Sequence, residues 1–268
     1  GDHGALVQRQ LALGAGGGKA HADILSAPPG TVQGGVRAIE QGELVANKYG
    51  VRVIFDLTAE SGDYLGGIGT YAAHRGKKRA EIYTDPQVKE DYKATVRYVL
   101  TRTNTITGVP YREDKAILAW QFGNEMHSAP APWLAEMAAY LKSLDANHLV
   151  SETRHVPGQP MVVDPNIAPH TRHLYSNYPG VGGGWPETCR REMEAVRGQR
   201  PFYVGEVGPY IDGKVFTHDH VVPRIREFLD FVIGQEGMSG ALLWSMYFHH
   251  RDGGFYWHQI MTYPAVWS

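Results

Sequence analysis

Ala116-Ile117-Leu118-Ala119-Trp120-Gln121-Phe122 runs directly into Gly123-Asn124-Glu125. The first seven residues are short, almost continuously apolar and aromatic-rich, which fits a strand buried on both faces, as in a parallel sheet. Downstream, Trp133 to Leu144 carries Leu134, Met137, Ala138 and Leu141 on one face, the spacing of an amphipathic helix. His148-Leu149-Val150-Ser151-Glu152 then reads as a strand again. Strand, helix, strand in that order is a parallel βα unit.

The alternation continues in both directions. Upstream, Val51 to Leu57 is a strand that follows Tyr49-Gly50, a helix-ending pair. Asp85-Pro86 starts a helix, with Asp85 as cap and Pro86 in the first helical position, and Val88, Tyr92, Val96, Val99 and Leu100 form its stripe. Downstream, strands are expected at Thr171–Tyr175, Phe202–Glu206 and Gly240–Met246, with helices at Glu187–Arg197 and Val222–Gln235. A further strand is expected at Gly17–Ala22 and a helix at Ala5–Leu13. Repeated parallel units either close into a barrel or form an open doubly wound sheet. The Gly-rich stretches Gly14–Gly18 and Gly180–Gly184 lack the Lys-Ser/Thr ending of a phosphate loop, and neither forms the turn after a first strand that an open sheet uses. The expectation is an α/β protein, a (β/α)8 TIM barrel with an incomplete N-terminal strand, residues 1–268 forming a single catalytic domain.

Composition narrows the function. With 26 basic and 28 acidic residues the net charge is −2, without the basic excess that tracking phosphates requires, so no nucleic-acid partner is expected. Cys189 is the single cysteine, which excludes an intrachain disulfide and a thiolate zinc cage. No apolar run approaches the length of a membrane-spanning helix, so no membrane partner is expected. Among thirteen histidines, His218-Asp219-His220 and His249-His250 are the candidate metal ligands, but the sequence places no third ligand beside either, and no metal or cofactor is expected.

Two glutamates stand at the C-terminal ends of apolar strands, where barrel side chains face the active-site mouth. Glu125 follows the quoted strand, and Glu206 ends Phe202-Tyr203-Val204-Gly205-Glu206. A pair of carboxyl groups is what glycoside hydrolysis requires, one protonated to release the leaving oxygen and one ionised to attack the anomeric carbon.

Trp120-x-x-x-Asn124-Glu125, followed by Gly205-Glu206-x-Gly208, resembles the clan A glycoside hydrolases. Tyr83-Thr84-Asp85-Pro86, the segment Val99 to Val109 with its Asn104-Thr105-x-Thr107-Gly108, and Asp114-x-x-Ile117-x-Ala119-Trp120 resemble family 5 endo-β-1,4-mannanases, over about Lys48 to Trp244. The resemblance implies a retaining barrel enzyme with Glu125 as acid/base and Glu206 as nucleophile. It further implies substrate contacts from Asn124, His173, Tyr175, Trp120 and Trp244: Asn124 on the sugar 2-hydroxyl, Tyr175 orienting the nucleophile, His173 near the acid/base, and Trp244 as a floor under the sugar. The partner is then an oligosaccharide or polysaccharide, the working unit a monomer, and the location secreted or periplasmic, although the chain opens Gly1-Asp2-His3-Gly4 without a signal sequence.

Gln121 stands where the family usually has Glu, and Met126-His127 where it has Pro-Arg. An exo-acting β-mannosidase, a β-glucanase with the same residues, and a non-catalytic carbohydrate-binding barrel therefore stay open as alternatives. The segment Tyr247 to Trp257, rich in His, Arg and aromatics, would favour exo action by narrowing a cleft.

Overall fold

Residues 32–60, 67–152, 154–160, 162–175, 184–207, 218–243, 246–248 and 255–257 are described by the structure, a computed structural model. They fall in two compact units, one reaching residue 153 and including 162–168, the other made of 154–161 and the chain from 169 onward.

The first unit begins with α1 (Val32–Tyr49), which stops at Gly50 with φ +70°. Then come β1 (Val53–Asp56), α2 (Gly67–His74), a 3-10 turn (Arg79–Tyr83), α3 (Pro86–Leu100), a second 3-10 turn (Tyr111–Glu113), β2 (Ile117–Gln121), α4 (Ala131–Leu144) and β3 (Leu149–Ser151). The three strands pair in the order β1-β2-β3, all parallel. α3 starts where Asp85 and Pro86 place it: the Asp85 carboxylate accepts from the backbone N–H of Gln87 at 2.9 Å and of Val88 at 3.1 Å. Its stripe of Val88, Tyr92, Val96, Val99 and Leu100 is buried, and α4 adds Trp133, Leu134, Met137 and Leu141 to the same core. Each such side chain contributes roughly 1.5–3 kcal/mol on burial, so packing rather than propensity holds these helices. Tyr92 packs against Tyr71 and Trp133 and donates its hydroxyl to the Phe122 carbonyl at 2.8 Å, fixing the end of β2.

Asn104, fully buried, closes its own turn: Oδ1 accepts from the N–H groups of Ile106 and Thr107 at 2.9 and 3.0 Å. Its Nδ2 donates to the Glu40 carbonyl at 3.1 Å and to Glu43 Oε2 at 2.7 Å. Arg102 and Thr105 bind the Glu40 carboxylate. The Asn-Thr-x-Thr-Gly segment is thus a lock on α1.

The second unit contains β4 (His170–Leu174), α5 (Gly184–Val196), β5 (Phe202–Val207), α6 (His218–Gly234) and β6 (Met238–Leu243), with parallel order β4-β5-β6. A hairpin, β7 (Met246–Phe248) with β8 (Phe255–Trp257), follows. Leu174, Cys189, Phe202, Val204 and Phe228 form its core, and Trp185 of α5 meets Phe228 and Phe231 of α6 edge-on. Beneath β4, Arg172 and His170 hold the buried Glu192 at 3.0 and 3.1 Å. Burial works to raise the Glu192 carboxyl, but these contacts outweigh it and hold it below its ordinary value.

The six strands expected between residues 51 and 246 are present, as two three-stranded parallel sheets. The last one starts earlier, at Met238, and ends at Leu243, and Met246 belongs instead to the hairpin. The expected strand at Gly17–Ala22 and helix at Ala5–Leu13 lie outside the described residues.

Candidate active site

Beyond its last strand residue β1 continues alongside β2, and this extension seats the turn that carries Glu125. Leu57 N–H donates to the Gln121 carbonyl at 3.0 Å, Asn124 N–H to Thr58 at 2.7 Å, and Glu60 N–H back to Asn124 at 2.8 Å. Gly123 has to be glycine here: a Cβ on it would stand 2.7 Å from both Thr58 Cγ2 and Met126 Sδ. Glu125 follows with φ +55°, the single non-glycine residue in the left-handed region among the described residues. Such a conformation costs energy and persists only where its surroundings over-determine it, a condition typical of functional sites. His127 caps the turn twice, its N–H donating to the Glu125 carbonyl at 2.6 Å and its Nδ1 lying 3.0 Å from the same oxygen. Asn124 and Met126 are buried, Glu125 is half-buried, and His127 is exposed.

In the second unit Glu206 sits on β5 opposite His173 of β4. The Tyr175 hydroxyl donates to Glu206 Oε2 at 2.7 Å, and His173 Nδ1 lies 3.5 Å from that oxygen. All three side chains are buried. Gly205 permits the arrangement, because a Cβ there would come 2.5 Å from Thr171 Oγ1 and 3.0 Å from His173 Nε2. The His173 ring is also backed by His155, centroid to centroid 5.6 Å. A carboxylate that accepts from a buried hydroxyl is held in one orientation, as a nucleophile needs.

The first unit therefore brings Asn124 and Glu125 together on one turn, and the second groups His173, Tyr175 and Glu206. Trp120 is fully buried, donates its indole N–H to Asp145 Oδ2 at 2.7 Å, and packs against Phe55 and His148. Trp244 and His249-His250 lie outside the described residues, while His218 and His220 fall in the first turn of α6. Sequence reading does not single out Glu60, although it too follows an apolar strand, the rule that marks Glu125 and Glu206.

A family model described as GH family 5 beta-mannosidase-like matches residues 49–162. A second, described as phosphoenolpyruvate carboxylase, matches residues 9–58, whose described part is α1, a turn and β1. Mannan endo-1,4-beta-mannosidase 8 of Oryza sativa subsp. japonica is 33% identical, the match covering 78% of this chain and 70% of the relative. Mannan endo-1,4-beta-mannosidase 1 of the same plant is 38% identical over 55% of this chain and 37% of its own. The chain spans 27% to 37% of the length of four of the plant relatives it matches. Among solved structures, the endo-1,4-beta-D-mannanase from Thermotoga petrophila RKU-1 is 25% identical with a TM-score of 0.66, covering 78% of this chain and 68% of that one.

Proposed function

Because the chain belongs to the family 5 β-mannosidase-like glycoside hydrolases, we propose that it cleaves β-1,4-linked mannan by double displacement, with Glu125 and Glu206 as the two carboxyl groups. The Glu206 carboxylate attacks the anomeric carbon while Glu125 gives its proton to the departing glycosidic oxygen. The sugar is then an ester of Glu206. Glu125, now ionised, takes a proton from water, which attacks the same carbon from the opposite face to Glu206 and releases a product of retained configuration. Asn124, on the rigid turn before Glu125, binds the sugar 2-hydroxyl, and Trp244 supplies the surface beneath the ring. The two carboxyl groups carry the chemistry, which requires no metal or cofactor.

One observation carries this reading: Glu206 is buried beside Tyr175 at the end of β5, on the strand end where parallel βα folds place catalytic groups. Glu125 occupies the corresponding end of β2 in a strained, over-determined turn. We take the two parallel sheets as parts of a (β/α)8 barrel, acting as a secreted or periplasmic monomer.

Soluble mannan, cellulose and xylan, incubated with the protein and followed by reducing-sugar release and by proton NMR of the nascent anomer, test the proposal. It requires mannan cleavage with β product first. Binding of mannan without cleavage, cleavage confined to cellulose or xylan, or initial α product would each overturn it.

A further inference from the structure

We propose that Glu60 is a positioning residue for Glu125, a role that rests on the reading of Glu125 as acid/base. The turn from Asn124 to Ser128 is tied at both ends to this one residue. Its N–H donates to the Asn124 carbonyl at 2.8 Å, and its Oε1 accepts from the Ser128 hydroxyl. Glu60 is itself buried and immobilised. Arg79 donates to its carbonyl and, at 3.0 Å, to Oε1, and Tyr83 donates to Oε2 at 3.1 Å. Tyr83 also lies 3.1 Å from Ser128 Oγ and packs edge-on against Trp133 of α4. Burial, foremost, raises the Tyr83 phenol, so it remains a donor throughout the working pH range.

The physical argument is one of strain. Glu125 at φ +55° relaxes unless both ends of its turn are fixed. The backbone ladder along β1 fixes the Asn124 end, and nothing in that ladder reaches Ser128. The Glu60 carboxylate supplies the second anchor, in a low-exposure setting where charge-assisted hydrogen bonds are strong. Cutting it leaves the strand pairing intact and releases the far end of the turn, which moves the Glu125 carboxyl away from the leaving oxygen.

Glu60→Ala, Glu60→Gln and Ser128→Ala, with Glu125→Ala as reference, are assayed on mannan and on 2,4-dinitrophenyl β-mannoside, whose leaving group needs no proton. Thermal melts verify folding. Glu60→Ala is expected to lose on the order of 10²-fold in kcat on mannan with KM little changed. Release of dinitrophenol in the first turnover stays within about threefold of the parent, since acid catalysis is not required there. Glu60→Gln recovers most of the loss, because its amide oxygen still accepts from Ser128. Ser128→Ala, at an exposed position that tolerates truncation, shows the same asymmetry at smaller size and decides the matter if Glu60→Ala does not fold. Equal losses on both substrates, or none, in the folded variants would overturn the proposal. Glu125→Ala separates the two claims: if it shows the asymmetry and the Glu60 and Ser128 variants do not, only the positioning role falls. If Glu125→Ala itself lacks the asymmetry, the acid/base assignment falls and takes the positioning role with it.

Discussion

Tyr175 and Glu206 share a 2.7 Å hydrogen bond, hydroxyl to Oε2, with both side chains buried. A hydrogen bond to a charged group contributes about 1.5–3 kcal/mol. Tyr175→Phe should therefore lower kcat/KM on mannan by roughly 10- to 10²-fold. The acid limb of the rate profile should also move to higher pH, because the lost donor favoured the ionised carboxylate. A pH series of kcat/KM checks both effects. An unchanged acid limb would mean that the hydroxyl does not act through Glu206.

Removing each carboxyl group should give different signatures. Glu206→Ala should abolish turnover on every substrate, and azide, attacking from the vacated face, should restore part of it as an azide product of inverted configuration. Glu125→Ala should still form the covalent ester from substrates with good leaving groups and then stall, giving a burst. Azide needs no base, so it should speed that variant and give a product of retained configuration. NMR of the glycosyl azides reads the outcome, and identical stereochemistry from the two variants would sink both assignments.

Gly123→Ala should be among the more damaging single-methyl changes in the first unit. The added carbon meets Thr58 and Met126 at 2.7 Å, and the Thr58 backbone carbon at 2.9 Å, so the β1 extension must shift. Overpacking of this kind costs about 1–3 kcal/mol. Because the displaced segment seats Asn124, activity should fall further than the melting temperature alone accounts for. A variant with parent-like melting and full activity would show that the turn is more accommodating than its geometry implies.

The same contacts explain what the sequence reveals and what it hides. Asp85-Pro86 and the stripe from Val88 to Leu100 are local signals, and α3 follows them closely. The strand-end positions of Glu125 and Glu206 were legible because each follows a short, strongly apolar run. The burial of Trp120 was not legible, because a core position and a sugar-facing one call for the same residue type. That β6 ends at Leu243 and Met246 belongs to the hairpin was hidden, since Gly240 to Met246 reads as one apolar run. Glu60 was hidden for a different reason: its partners Arg79, Tyr83 and Ser128 lie 19 to 68 residues away, and a sequence window sees none of them.

Stability should fall as pH rises through neutrality, by two separable routes. His148 places Nδ1 2.7 Å from Asp145 Oδ2 and Nε2 3.0 Å from the Asp114 carbonyl, so both nitrogens face acceptors. Burial opposes its charge, but the Asp145 bond outweighs it and raises His148 above its ordinary 6.5. That contribution is complete below 6.5 and is lost as pH climbs through the raised value. Asp145 is pulled up by burial and, more strongly, down by His148, Trp120 and backbone N–H groups, to about 2, so its contribution is present above 3.8 and lost toward about 2. Glu43 is pushed up to about 7, chiefly by burial, and Asp114 and Glu40 add to this while Asn104 opposes it. Its ionisation therefore penalises the fold progressively between 4.5 and about 7. Glu43→Gln should be more stable than the parent at about pH 8, by on the order of 1–3 kcal/mol, and equal to it near pH 4.5. His148→Gln should show its largest deficit in mildly acid solution, narrowing as pH rises. Denaturation curves across the range test both, and a Glu43→Gln gap that does not vary with pH would contradict the buried-carboxyl account.

The assignment of Glu206 as the nucleophile is tested most directly by trapping the ester. A 2-deoxy-2-fluoro-β-mannosyl fluoride forms the glycosyl-enzyme faster than it is hydrolysed, and mass spectrometry of the intact chain and its peptides locates the sugar. The expected result is one fluoromannosyl group per chain, carried by the peptide containing Gly205-Glu206, with activity lost in step with labelling and no label on Glu206→Ala. A label on another residue, or full inactivation-free turnover with no trapped ester, would contradict the mechanism.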